Sequence, residues 1–162
     1  MNKMKVIYPG SFDPITNGHM DIIQRSSKIF DEVNIAVVKN KQKQSIFSLD
    51  ERVKMIEKSC KHLKNVKVYS FEGLTVDFAK KIGCSTIIRG LRAVSDFESE
   101  MQMSLANKKL NGDLETIFLV SDGKYAFLSS SIVREIASYG ADISELVPNE
   151  IVEIIRRKYD DK

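Results

Sequence analysis

Several features that would narrow the function at once are scarce or absent in this 162-residue chain. No apolar run approaches the roughly 20 residues that a membrane-spanning helix needs. The two cysteines, Cys60 and Cys84, lie far apart, and they form neither a C-x-x-C pair nor a cluster with metal-ligand spacing. We therefore expect both cysteines to be small buried apolar residues, and we expect neither membrane binding nor a metal held by the chain itself.

The chain also lacks a large excess of either sign of charge, because it has 25 basic and 22 acidic residues and a net charge of +3. This excess is too small to indicate a nucleic-acid partner, although it suits an anionic substrate. The first residues, Met1–Lys5, lack the apolar stretch of a secretory signal, which predicts a cytoplasmic location. We find no repeat, low-complexity tract or linker, so residues 1–162 are predicted to form a single domain.

Short apolar runs alternate with longer helix-like segments along the chain. Runs rich in valine and isoleucine suit strands that helices cover on both faces. The predicted strands are Lys5–Tyr8, Val33–Val38, Val66–Phe71, Thr86–Ile88 and Thr116–Val120. Alternating strands and helices pair in parallel through right-handed crossovers, which predicts an α/β domain with a doubly wound, Rossmann-like parallel five-stranded sheet. In such sheets ligands bind outside the carboxyl ends of the strands.

Helix signals separate these strands. Ile22, Ile23 and Ile29 fall near one face of the first predicted helix, and Ser48 with Glu51 three residues later has the spacing of a capping box. Gly83 is a usual helix terminator. The predicted helices are Gly18–Phe30, Ser48 to about His62, Thr75–Ile82, Ser95–Leu110, Ser130–Tyr139 and Pro148–Lys158.

The stretch that follows the first strand, residues 9–19, contains two prolines and two glycines and ends in Thr16-Asn17-Gly18-His19 at the start of a helix. A helix start gathers unpaired N–H groups and the positive end of the dipole, so it attracts phosphate. Gly18 has no side chain to block the close approach of an anion. His19 can donate a hydrogen bond to charge that develops on a phosphate oxygen. An isolated histidine here would more often cap or pack, but its setting favours the functional interpretation.

Four segments resemble the nucleotidyltransferases with a T/H-x-G-H signature, and among them the phosphopantetheine adenylyltransferase family. They are Tyr8–Asp21, Phe47–Val53, Ile88–Arg92 together with Asp96–Glu98, and Leu128–Glu135. They occur in the family's order across nearly the whole chain. Two departures are small: Ser11 stands where the family often has threonine, and Leu128 where it often has isoleucine.

The resemblance assigns roles to individual residues. It implies catalytic roles for His19, Lys43 and Arg92, and acceptor contacts for Ser11, Lys43, Thr75 and Arg89. The residues implied to bind ATP are Ser11, Phe12, His19, Gly90, Leu91, Arg92, Glu100, Tyr125, Ala126, Phe127, Leu128, Ser129, Ser130 and Ser131. Read alone, Glu100 would be a solvated helix residue, and the serine run would be a helix cap. Arginines that follow a buried strand favour phosphate binding, because guanidinium groups match phosphate oxygens. Lys39 and Lys41 are expected to be solvated loop residues, and His62 an exposed one.

The resemblance further implies transfer of the adenylyl group of ATP to 4′-phosphopantetheine, giving dephospho-coenzyme A and pyrophosphate. It implies Mg²⁺ as cofactor, coenzyme A as feedback inhibitor and a homohexamer. Two alternatives stay open. The chain is a related adenylyl- or cytidylyltransferase with another phosphorylated acceptor, or it is a nucleotide-sensing or RNA-binding module that has lost catalysis.

Overall fold

A computed structural model of the chain describes residues 3–162. The prediction that the chain lacks a secretory signal used Met1–Lys5, of which Met1 and Asn2 lie outside the described residues. The single domain over residues 1–162 stays a prediction. The strands and helices are, in chain order, β1 Lys5–Gly10, α1 Asn17–Ile29, β2 Glu32–Lys39, α2 Leu49–Cys60, β3 Val66–Glu72, α3 Thr75–Ile82, β4 Thr86–Leu91, α4 Val94–Leu110, β5 Glu115–Val120, α5 Ser130–Ser138 and α6 Val152–Asp160. Single 3-10 turns, Gly123–Tyr125 and Asn149–Ile151, precede α5 and α6.

The five strands form one parallel sheet in the order β3-β2-β1-β4-β5. The predicted doubly wound α/β sheet is therefore confirmed. After β3 the chain crosses to the other side of β1, so the sheet changes winding direction between β1 and β4. β1 pairs with β4 only at Ile7 and Ile87 among the described residues. The absence of further pairing leaves a gap at the carboxyl ends of these two strands, which is where α/β proteins place their ligands.

Side-chain caps define where α1 and α2 begin. The Ser48 side chain accepts from the Glu51 amide, and the Glu51 carboxylate accepts from the Ser48 amide, so the predicted capping box is present. Ile22 and Ile23 of α1 are buried. Ile29 follows Ile22 by seven residues, close to two helical turns, so it lies near the predicted face, but it is 61% exposed. Ile29 is the last residue of α1, three residues before β2 begins.

The edge strands are less covered than the sequence predicted. β3 and β5 contain no fully buried residue, whereas the central strands β1, β2 and β4 do. The prediction of two-sided burial is therefore wrong for both edges. The reason lies partly in α4, which has no buried residue and leaves Phe97, Met101 and Leu105 at least 40% exposed.

Over residues 3–162, no helix is both long and apolar enough to cross a membrane. Cys60 and Cys84 are both free and buried, which confirms their predicted structural position. Burial raises the pKa of the Cys60 thiol to about 12, so this thiol is an inert apolar group.

Candidate active site

Two cavities meet at the carboxyl ends of β1 and β4. The first, of about 260 Å³, is lined by His19 and Arg92 and extends to the segment before α5. The second, of about 480 Å³, extends past Lys43 and Thr75 to α4. Both are lined by Pro9, Gly10, Ser11, Arg89 and Glu100. The two cavities therefore form a cleft with two arms that share one wall, a shape that suits two substrates meeting at a common point.

His19 is held in one orientation at the start of α1. Its Nδ1 accepts the backbone N–H of Thr16 at 3.0 Å, while the Thr16 hydroxyl accepts the His19 amide at 3.3 Å. The Phe12 ring packs edge-on with its centroid 4.9 Å from that of His19, and Phe12 has an uncommon positive φ of 48°. Because Nδ1 accepts, the proton of a neutral ring lies on Nε2. His19 thus presents an N–H donor at the wall of the first cavity.

The imidazole of His19 is neutral over the ordinary pH range. Burial, together with the positive charges of Arg89 and Arg92, lowers the pKa of His19 to about 3. A neutral donor in this position can stabilise negative charge without depending on a protonation step. Tyr8 lines the same cavity, and burial raises the pKa of its phenol to about 12, so Tyr8 also stays neutral.

Arg89 and Glu100 form the wall between the two arms. Arg89 Nε and Nη2 donate to the two carboxylate oxygens of Glu100 at 2.8 and 2.7 Å, and Arg89 Nη1 donates to the carbonyl of Pro9. Glu100 is therefore not the solvated helix residue that its position alone suggested. The pair fixes the guanidinium in the gap between β1 and β4.

Arg92 connects the end of β4 to the segment before α5. Its Nη1 donates to the Leu128 carbonyl at 2.8 Å, and its Nε donates to Asp96 at 3.0 Å. Gly90, between the two arginines, is packed against α1, because a Cβ there would lie 3.1 Å from Ile22. The close packing of α1 on β4 brings His19 and Arg92 to the same cavity.

Most residues predicted to bind ATP line the first cavity. They are Ser11, Phe12, His19, Gly90, Arg92, Glu100, Tyr125, Leu128, Ser129 and Ser130. Leu91, Ala126, Phe127 and Ser131 do not line it. Phe127 is 56% exposed, and the Ser131 hydroxyl accepts from Arg134.

All residues predicted to contact the acceptor line the second cavity: Ser11, Lys43, Thr75 and Arg89. Sequence reasoning missed Met103, Ser104 and Asn107, which line its far end from α4. Their spacing of one and four residues on one helix is the only signal they give. Lys39 and Lys41 are exposed as expected, and both pair with Glu72, at 3.5 and 3.1 Å.

The carboxylates that line the cleft are already engaged. Glu100 pairs with Arg89, and Asp96 pairs with Arg92. Among residues 3–162, no three His, Cys, Asp or Glu side chains are grouped so that they could hold a metal ion.

Comparison with known proteins identifies this arrangement. Residues 7–136 match the model of the cytidylyltransferase-like family. The fold is also that of a solved structure titled a putative nicotinate-nucleotide adenylyltransferase from Vibrio parahaemolyticus, with a TM-score of 0.72 at 17% identity over 96% of each chain. Fold and site together thus define a nucleotidyltransferase. A curated phosphopantetheine adenylyltransferase from Finegoldia magna is 81% identical over the full length of both chains. The chain belongs to the phosphopantetheine adenylyltransferase family.

Proposed function

We propose that this enzyme transfers the adenylyl group of ATP to the phosphate of 4′-phosphopantetheine, forming dephospho-coenzyme A and pyrophosphate. The observation that supports this most strongly is the two-armed cleft. His19 and Arg92 line only the first arm, whereas Lys43 and Thr75, which are predicted to contact the acceptor, line only the second. Ser11 and Arg89 border both arms, at the point where two phosphates would have to meet.

The acceptor brings its own nucleophile to this reaction. A phosphate monoester is largely ionised near neutral pH, since its second pKa is about 6. An acceptor oxygen forms a bond to the α-phosphorus of ATP. The bond from that phosphorus to the oxygen that bridges the α- and β-phosphates breaks, and pyrophosphate leaves with that oxygen. No proton has to be removed from the acceptor, so the protein's task is positioning and stabilisation of developing charge.

Three side chains supply that stabilisation in the proposed mechanism. His19 donates from Nε2, and Arg92 presents a guanidinium already oriented by Asp96 and Leu128. Lys43 is exposed, lines the acceptor arm and makes no ion pair within residues 3–162. It is therefore the cation available to the acceptor's phosphate.

We propose that Mg²⁺ enters with ATP as part of the substrate. The carboxylates that line the cleft are paired with arginines, so the fit is to a cation coordinated mainly by the nucleotide's phosphates and water. Bound in this way, Mg²⁺ would neutralise phosphate charge that the paired arginines offset only in part.

A homohexamer is the proposed assembly, and the exposed face of α4 is a surface that subunit contact would cover. Phe97, Met101 and Leu105, which follow one another at intervals of four residues, are 40–62% exposed there. Light scattering should give a mass near six times 18.4 kDa. Leu105→Glu should reduce this mass, whereas Ile29→Glu, on an equally exposed residue of α1, should leave it unchanged. A monomeric wild type at micromolar concentration would contradict the hexamer.

Pyrophosphate release on mixing the enzyme with ATP and 4′-phosphopantetheine tests the proposed reaction. Nicotinamide mononucleotide and phosphocholine, each added instead of 4′-phosphopantetheine, test the alternative that the enzyme uses another acceptor. Faster release with either of these would overturn the proposed acceptor, and no release with any of them would favour a binding module. We also propose a cytoplasmic location and feedback inhibition by coenzyme A, and the second of these rests on the family resemblance alone.

A further inference from the structure

Lys43 lies in the loop between β2 and α2, residues 40–48. Its ammonium makes no direct ion pair with any of the described residues. The two ends of the loop are nevertheless fixed to one short segment, Ser11–Asp13, whose first residue, Ser11, borders both arms of the cleft. Arg52 and Asp13 make these two attachments.

Arg52 fixes the first end. This arginine is 3% exposed, and its Nη1 donates both to the Ser11 carbonyl at 2.7 Å and to the Val38 carbonyl at 3.0 Å. Val38 lies near the end of β2, just before the loop begins. One buried guanidinium thus ties the entrance of the loop to Ser11.

Asp13 fixes the second end. It is 7% exposed, and its two carboxylate oxygens accept the backbone N–H groups of Ile46 and Phe47 at 3.0 and 2.9 Å. Arg134 of α5 donates to the Asp13 carbonyl at 2.7 Å and lies 3.8 Å from its carboxylate, so the buried charge has a partner. Bonds from N–H groups to a charged acceptor are stronger than neutral ones.

We propose that Asp13 is a positioning residue that sets the place of Lys43 relative to the nucleotide arm. The inference rests on the proposed function, because it takes Lys43 as the group that meets the acceptor's phosphate. Lys43 is held between two anchors on the segment that also contains Ser11. The distance between the acceptor's phosphate and the attacked phosphorus would then depend on Asp13.

Asp13→Asn tests this, because an amide offers one acceptor where the carboxylate offers two. Misplacement of a reacting group by about 1 Å costs up to about 100-fold. We therefore expect kcat/KM for 4′-phosphopantetheine to fall roughly 10–100-fold, with the ATP dissociation constant within about twofold of wild type. Asp13→Glu keeps both oxygens on a longer arm and should recover part of the loss. If the asparagine variant does not fold, the glutamate variant undergoes the same measurements.

A double-mutant cycle separates positioning from general loss of stability. If Asp13 acts through Lys43, Asp13→Asn should change kcat/KM by less than about twofold in a Lys43→Ala background. Asn34→Ala is the matched control, since Asn34 is also buried and bonds the Val6 carbonyl within the sheet. It should lower the melting temperature while leaving kcat/KM for both substrates unchanged.

Hydrogen exchange gives a readout that does not depend on activity. Loss of a charged acceptor should speed exchange in the peptide spanning residues 40–48 by about 10–150-fold in Asp13→Asn, with α1 unchanged. Unchanged exchange in that peptide overturns the anchor, and effects of Asp13→Asn and Lys43→Ala that multiply in full overturn the positioning role. A wild type that releases no pyrophosphate would instead refute the proposed function, while the exchange result would still decide whether Asp13 holds the loop.

Discussion

The double role of His19 leads to a prediction in which catalysis and folding can be measured apart. His19 Nδ1 accepts the Thr16 amide, and Thr16 is 1% exposed. Replacing His19 by alanine removes both this acceptor and the Nε2 donor. Replacing it by glutamine keeps an acceptor for Thr16, since glutamine at this position completes a capping box, but it does not hold a donor where the imidazole has one.

The two losses have different sizes. A buried donor left without a partner costs about 1–3 kcal/mol, which lowers the melting temperature of a chain this long by about 2–4 °C for each kcal/mol. Loss of one donor to the transition state costs about 2.7–4 kcal/mol, or roughly 10²–10³ in kcat. We therefore expect His19→Ala to lose both stability and kcat, and His19→Gln to lose kcat alone.

Calorimetry, steady-state pyrophosphate release and ATP titration provide the measurements. ATP affinity should change little in either variant, because the donor acts chiefly in the transition state. A His19→Gln enzyme with near-normal kcat would remove the imidazole from the mechanism. A His19→Ala protein with an unchanged melting temperature would refute the capping role.

Three further predictions follow from the charges of the site. Lys43→Ala should lower kcat/KM for 4′-phosphopantetheine by about 10–150-fold and spare ATP affinity, whereas Lys41→Ala, whose ammonium pairs with Glu72, should be nearly silent; equal effects would reduce the loop to a diffuse basic surface. Glu100→Gln removes the charged partner of Arg89, and it should raise KM for both substrates because the Arg89–Glu100 pair borders both arms. Unchanged KM values would argue against a role of this pair in binding either substrate. As pH falls from 6.5 towards 4, the unfolded chain gains a proton on His19 that the folded chain does not gain. The melting temperature of the wild type should therefore fall further over this range than that of His19→Gln. Equal falls in melting temperature for the two proteins would contradict the lowered pKa of His19.

Local signals predicted part of this fold closely. Thr75–Ile82 begins and ends where expected, because Gly83 adopts the left-handed conformation that ends it. β4 was predicted to end at Ile88 but continues to Leu91, since Arg89 and Gly90 pair with β5. The arginine and glycine were expected to follow the strand, and pairing with a neighbouring strand keeps them extended.

The contents of the site were less predictable than its location. A strand-turn-helix pattern and the family resemblance placed His19, Lys43 and Arg89, but no local pattern indicates that Glu100 holds Arg89, because the two are joined only by tertiary structure. The same limit applies to the apolar residues of α4. A periodic pattern shows that a helix has an apolar face, but it does not distinguish a face covered by the same chain from one left exposed.

The ion pairs in the site explain why its hydrogen-bond donors include paired arginines, a neutral histidine and a lysine without an ion pair among the described residues. Two anionic substrates must meet in one cleft, which favours positive groups. Unpaired arginines at the carboxyl end of β4, however, would be poorly oriented before substrate arrives. Glu100 and Asp96 fix Arg89 and Arg92 in advance, at the expense of some attraction for phosphate. His19 adds a fixed donor without adding charge, and its proton does not depend on pH in the working range. Lys43 then supplies a positive charge that makes no ion pair within residues 3–162, which is why the anchoring of its loop would matter for the proposed reaction.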